Sequence, residues 1–314
     1  MASKGQSTVT KPKRRKNVNN AGYFFILPFM IVFVIFSVYP VLRTLYLSFM
    51  NYKGFGEPTP IGFANYARVF QDKFFWRALW NTVKIWGVNI VVQLGLAFLL
   101  TMVFSDMKYK IKGLGVFRAL YYLPNLIAAT SVAFLFKTLL DWQYGSFNQI
   151  LMSSGIIEKG AQIKWLLDPN IAPYVVAIIS AWMWFGNSFI VLMAGVQGIN
   201  TDYFEAASID GAGRWKTFAK ITIPLLKPIL IYVSITSLIG GLQMFDIPYL
   251  INGKYAAGNP GGSLQTVVMY LYKFGFATGS TKQVGYASAI AYSLFLIILV
   301  ISIMQFKFAS RKDD

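Results

Sequence analysis

Six apolar runs, each of about 20 residues, limit this chain more than any other feature: 23–41, 85–104, 114–136, 171–196, 229–250 and 285–306. An α-helix rises 1.5 Å per residue, so about 20 residues cross the ~30 Å hydrocarbon core of a bilayer. In that medium every backbone N–H and C=O must bond within the segment, which selects helices. The charge content agrees, at 13% against about 25% for a soluble domain. The expectation is an all-α, polytopic membrane protein with six transmembrane helices. It forms one membrane domain, 23–306, between a polar tail at 1–22 and a short tail at 307–314.

The first run follows the basic cluster Lys11, Lys13, Arg14, Arg15 and Lys16, and so imitates a signal peptide. Its apolar part is too long for such a segment and no small-residue cleavage site follows, so it reads as an uncleaved first helix. Pro28 and Pro40 stand near its two ends. The remaining positive charge is also patterned. Six spans place both termini on one side with segments 105–114 and 197–228. Those segments hold Lys108, Lys110 and Lys112, then Arg214, Lys216, Lys220 and Lys227, then Lys307, Arg311 and Lys312. Basic residues gather in cytoplasmic loops, so both termini are expected in the cytoplasm. The excess of 29 Lys and Arg over 12 Asp and Glu is thereby explained by topology, with no nucleic acid as partner.

The three outer segments are expected to be more than linkers. The first, 44–84, carries Phe55, Phe63, Tyr66, Phe70, Phe74, Phe75, Trp76 and Trp80, and should lie along the interface in short amphipathic pieces. The second holds Trp142, Tyr144 and Trp165. The third has a glycine-rich turn at Gly258-Asn259-Pro260-Gly261-Gly262.

The chain has no cysteine and no histidine. That removes disulfides, Cys or His metal sites, and any catalysis needing a thiol or an imidazole. No paired carboxylates lie within the spans, so the chain reads as a transport subunit with no bound cofactor. Polar side chains inside spans are costly unless they face protein or water. They include Asn89 and Gln93, then Ser188 with Gly186 opening space, then Ser234, Thr236 and Ser237 beside Gly240-Gly241. One reading makes them helix-packing residues. The other makes Asn125, Trp182, Trp184, Asn187, Gln243, Asp246 and Tyr249 a substrate site. Aromatic faces with amide and carboxylate acceptors suit a ligand with CH faces and many hydroxyls. No chain of carboxylates crosses the bilayer, which weakens a proton-driven secondary transporter.

The cytoplasmic loop 197–228 is long for a connection. Glu205 stands at the start of a small-residue helix, where a carboxylate suits the positive dipole end. Ala206 and Ala207 make a narrow surface, and Asp210-Gly211, with Ala212 and Gly213, end the helix sharply. The residues alone fit either a knob that docks into another protein or an interfacial anchor.

The run EAA at 205–207, followed by Asp210-Gly211-Ala212, Phe218, Ile221, Ile223-Pro224 and Pro228, resembles the EAA loop of ATP-binding-cassette importer permeases. Its form is that of the sugar-importer subfamily, the maltose- and glycerol-phosphate-type permeases. The similarity extends to the first span, to GFANYARVFQDKFFWRALWNT at 62–82, and to YYLPNLIAA, YGSFNQIL, VLMAGVQGI and FDIPYLINGK. Two departures are an insertion at 254–258 and Asn200, where the family usually has proline. The resemblance implies the six-helix type I importer permease fold and a carbohydrate, most readily an oligosaccharide, as substrate. The alternative is another polar solute such as glycerol phosphate. It further implies a second homologous permease, an extracytoplasmic solute-binding protein, and a cytoplasmic ATPase dimer that holds ATP and Mg. Glu205 would salt-bridge the ATPase, Ala206 and Ala207 would pack against it, and Asp210 to Gly213 would form the turn.

Overall fold

The computed structural model describes residues 21–105, 113–158, 160–252, 256–276 and 282–310. The N-terminal basic cluster, Lys108, Lys110, Lys112, Lys254 of the insertion, Arg311 and Lys312 lie outside the described residues. The described chain is all-α apart from one small hairpin, β1 (Met50–Asn51) against β2 (Thr59–Pro60).

Residues up to Tyr46 form a unit of their own. Helix α1 (Ala21–Phe33) continues through a π-helical turn, Val34–Val38, into α2 (Tyr39–Ser48). Its side chains are exposed and apolar all round, as in a helix solvated by lipid. Pro28 lies inside α1, not at its end. Pro40 has no N–H to return to the ladder, and the Tyr39 N–H beside it reaches back to the Val34 carbonyl, making the π turn.

The second unit starts at Leu47. Helix α3 (Ala64–Gln71) precedes α4 (Lys73–Phe104), whose 32 residues make it about 48 Å long. The expectation of interfacial pieces throughout 44–84 is corrected here, because α4 begins at Lys73. Asp72 caps it by accepting from the Phe74 N–H at 2.9 Å. The buried stripe Phe75, Ala78, Thr82, Ile85, Asn89, Gln93, Ala97 and Thr101 keeps helical spacing along the whole length.

The third run is not one helix. α5 (Leu114–Leu126) and α6 (Ala129–Leu139) meet at 88°. Pro124 gives no donor to the last turn of α5, and Ile127 and Ala128 turn extended. After α7 (Ser146–Ser153), α8 (Ala172–Gln197) returns as a straight span. The loop after it holds α9 (Asp202–Ile209), α10 (Arg214–Thr217), a π turn at Phe218–Thr222 and α11 (Ile223–Leu225). The fifth run is also interrupted. α12 (Lys227–Leu242) stops, residues 243–245 are irregular, and α13 (Asp246–Asn252) restarts. Pro248 has no N–H for the Met244 carbonyl and its ring would clash there, so the ladder cannot run through. α14 (Val267–Gly275) and the last span, α15 (Val284–Ser310), complete the chain.

α4 and α8 pack along most of their length, with α5 on α8 and α12 on α4. Glycines make the close approaches, two of them at the α5–α8 and α4–α12 seams. A Cβ on Gly186 would stand 1.9 Å from the Tyr121 carbonyl oxygen of α5, and one on Gly241 would stand 1.9 Å from the Trp86 ring of α4. Gly186 therefore serves the α5–α8 seam, not an open space beside Asn187.

At the end where α4 and α15 begin, the loops are tied to the bundle. Asn65 donates to the carbonyls of Ser48 and Met50, both at 2.9 Å. Asn81 donates to the Gly262 carbonyl at 2.8 Å, and the Thr82 hydroxyl accepts from the Val267 N–H at 3.0 Å. The Tyr286 hydroxyl donates to Asp72 at 2.6 Å, and that of Tyr270 donates to the same carboxylate. Burial opposes the charge on Asp72, but the two phenols and the Phe74 and Phe75 N–H groups outweigh it and hold its pKa below the usual 3.8. Burial, followed by the Asp72 carboxylate, raises the Tyr270 phenol far above its ordinary range.

Candidate functional site

The two interrupted spans meet at a cavity of about 430 Å³. Irregular backbone is tolerated at membrane depth only where protein or a wet cavity satisfies it. Ala129, the first residue of α6, lines the cavity, and so do Gln243, Asp246 and the residues between them. α8 contributes Ser180, Trp184, Asn187, Ser188 and Val191, a single face at helical spacing. α4 adds Asn89 and Gln93, one turn apart, and α12 adds Tyr232, Thr236, Ser237 and the Gly240-Gly241 pair.

Four of the seven expected substrate residues come together: Trp184, Asn187, Gln243 and Asp246, all exposed to the cavity side of this chain. The other three do not line it. Trp182 lies two residues off the Trp184 face and packs edge-on against Phe136 at 5.5 Å, inside an apolar core. Tyr249 stacks on Phe245, which does line the cavity, at 4.7 Å and meets Tyr272 at 5.4 Å, but Tyr249 itself is not part of the lining. Asn125 is half-buried in the last turn of α5. A count by helical face would have excluded Trp182 and found Ser180, Ser188 and Val191 instead.

Asn89 and Gln93 hold helices together as well as lining the wall. Gln93 Nε2 lies 2.7 Å from Ser188 Oγ, and Asn89 Nδ2 lies 3.4 Å from the Ala177 carbonyl. Such bonds contribute about 0.6 kcal/mol each in membrane helices. Ser180 and Thr236 are satisfied by the carbonyls of Val176 and Tyr232. The free amide and carboxylate capacity therefore sits on Asn187, on the same face of α8 as Trp184, and on Gln243 and Asp246 at the break between α12 and α13. None of the described residues lining this cavity is Lys or Arg.

The loop with the EAA run lies at the other end of the bundle. α9 begins at Asp202, so Glu205 falls at the end of its first turn and shares the positive dipole end with Asp202. Asn200, at the position where proline was expected, accepts from the Asp202 N–H at 3.1 Å and donates to its carboxylate at 3.0 Å. The helix ends in a Schellman pair. The Ala212 N–H reaches the Ala207 carbonyl at 2.9 Å and the Gly211 N–H the Ser208 carbonyl at 3.2 Å, with Gly211 at φ +69°. Glu205 and Ala206 are exposed, as are Asp210, Gly211 and Gly213, and Ala212 is half-buried. Ala207 is 6% exposed. Of the two alanines expected to form a narrow surface, Ala206 is the one open on this chain. Tyr203 and Ile209 stand exposed on this helix with Ala206.

Three comparisons bear on this arrangement. The chain is 35% identical over 313 residues to the lactose transport system permease protein LacF of Rhizobium radiobacter, covering 99% of each. It is 30% identical over 288 residues to the arabinooligosaccharides transport system permease protein AraP of Bacillus subtilis (strain 168), covering 91% of this chain and 88% of that one. In fold it matches a chain of a bacterial alginate ABC transporter, solved in complex with an alginate pentasaccharide-bound periplasmic protein. There the TM-score is 0.74 and the identity 24%, over 93% of this chain and 94% of that one. Residues 82–314, which include the cavity helices and the whole EAA loop, match the family model described as binding-protein-dependent transport system inner membrane component, and it is to that family that the chain belongs.

Proposed function

We propose that this chain is one permease half of an ATP-driven importer for oligosaccharides. The observation that carries the cargo class is the central cavity: a tryptophan together with amide and carboxylate acceptors, with no Lys or Arg among the described residues of its lining. Sugar rings offer CH faces to the first and hydroxyls to the second. A phosphate-bearing solute would be expected to meet Arg or Lys. The lactose and arabinooligosaccharide permeases to which the chain is similar support the same class.

Family membership and the loop support the remaining parts of this reading. A second permease completes the pore, a solute-binding protein delivers cargo on the side of the Asp72 network, and an ATPase dimer receives α9. The basic bias of the 197–228 side puts that loop and both termini in the cytoplasm. Glu205 and Ala206 engage the ATPase, and the Asp210–Gly213 turn fixes their angle. Closure of the ATPase on ATP then moves the two loops together and opens the pore outward.

The test is uptake by the assembled transporter, with the binding protein screened first against lactose, maltodextrins, arabino-oligosaccharides, oligo-alginates and glycerol phosphate. A saccharide is the expected ligand, and glycerol phosphate alone would replace the cargo class. Glu205→Lys and Gly211→Pro should abolish uptake and cargo-stimulated ATP hydrolysis while leaving membrane insertion intact. Normal transport by both variants would remove α9 from the coupling path.

A further inference from the structure

A second cavity, of about 410 Å³, lies at the end of the bundle where α4 and α15 begin. Trp142 and Trp165 line it, with Lys137, Asp141 and Lys164 around them and Ile251 below. One buried side chain ties the Trp165 indole to the backbone of Trp142. Asn148, 3% exposed, accepts from Trp165 Nε1 at 2.8 Å and donates to the carbonyls of Ile163 at 3.1 Å and Trp142 at 3.3 Å. The Lys164 ammonium sits 5.4 Å from the centre of the Trp142 ring. Asp141 is fixed through one carboxylate oxygen, which accepts from the N–H groups of Gln143 and Tyr144 at 3.0 and 2.8 Å.

This cavity and the central one share two helices. α6 starts at Ala129 in the central cavity and reaches the second through Lys137. α13, packed against α6, contributes Ile247 to the first and Ile251 to the second. Eight residues of α6 separate the two linings, about 12 Å of helix. We infer that the Trp142–Trp165 cavity is an outer subsite for the far rings of a glycan whose other end occupies the central cavity. It has the elements a sugar ring needs: indole faces for its CH groups, ammonium donors from Lys137 and Lys164, and an acceptor in Asp141. A disaccharide is too short to fill both cavities, whereas a longer chain engages both. The inference rests on the oligosaccharide reading above and adds a length rule to it.

The experiment uses the complete transporter with its binding protein in proteoliposomes. Cargo-stimulated ATP hydrolysis and uptake are measured with di- and hexasaccharides of the maltodextrin, arabino-oligosaccharide and alginate series. Trp142→Ala and Lys164→Ala should raise KM for the hexasaccharide at least about fivefold, the loss expected on truncating a contacting tryptophan. The disaccharide KM should not change, and Trp142→Phe should restore most of the hexasaccharide response. A variant that is merely misfolded lowers both lengths together, which Trp142→Phe and the exposed Lys164 position guard against. Equal effects at both lengths, no effect at either, or a wild type that answers only to disaccharides would overturn the subsite. A wild type stimulated by no series at any length would instead bring down the oligosaccharide reading itself, and the subsite with it.

Discussion

Replacing Gly186 with alanine should separate two helices, and the size of the effect can be worked from one distance. The added Cβ would stand 1.9 Å from the Tyr121 carbonyl oxygen and 2.7 Å from its carbon, about 1.5 Å short of the 3.4 Å at which ordinary contact begins. Both obstacles are backbone, so no rotamer change relieves them and α5 must move off α8. Overpacking of this kind costs about 1–3 kcal/mol. Alanine returns about 0.5–1 kcal/mol as the better helix former, which leaves a net loss of up to about 2.5 kcal/mol. Gly95 is the matched control, since it lies in α4 with nothing within 4 Å of its Cβ position. There the same substitution should stabilise by about 0.5–1 kcal/mol. Thermal unfolding of the detergent-purified protein, followed by tryptophan fluorescence, compares the two. The expected result is a lowered midpoint for Gly186→Ala and an unchanged or raised one for Gly95→Ala. A Gly186→Ala midpoint at or above wild type would refute the backbone-contact account of the α5–α8 seam.

Two further outcomes follow from the site and its frame. Asp72 has a folded pKa below 3.8, so its contribution to stability is complete above about pH 4 and is lost as pH falls through the lower folded value. Chemical denaturation from pH 7 to pH 3 should therefore show Asp72→Asn well below wild type at neutral pH, with the gap closing in acid; a constant gap would separate the carboxylate charge from the clamp. In the central cavity, Asn187→Ala, Gln243→Ala and Asp246→Ala should each raise KM for uptake with little change in melting. Trp182→Ala should do the reverse, destabilising by about 2–4 kcal/mol through the emptied contact with Phe136 without a selective change in KM.

The all-α class and the apolar runs were legible because apolar length is a one-dimensional property, although five of the six runs hold a single candidate span and the other is the bent pair α5 and α6. The interruptions were legible only in part. Pro124 and Pro248 stand in plain view, but proline inside a membrane helix permits either a kink or a full break. The packing of α6 on α13 decides that, and it is a contact between runs more than 100 residues apart. The EAA loop was readable because its helix, its dipole-end acid and its Gly211 cap are local; the burial of Ala207 depends on tertiary packing and was not. For the cavity, residue type led to Trp184, Asn187, Gln243 and Asp246. Type without helical phase also led to Trp182, which points into a core. The motif at 62–82 shows the same limit. It suggested kinship, and only the structure assigns Asn65, Asp72, Asn81 and Thr82 their work of tying loops to helices.

The break at 243–245 has a consequence for the empty state. The last carbonyls of α12 and the first N–H groups of α13 lack partners within their own helices. Short turn bonds such as Met244 N–H to the Gly241 carbonyl, at 3.2 Å, satisfy some of them. The rest need an outside partner at every stage, and in the absence of cargo that partner is water. A sugar bound at the proposed site would exchange its hydroxyls with such waters instead of filling a void. Binding and release would then be swaps of similar hydrogen bonds, and cargo would be held in place without being held tightly.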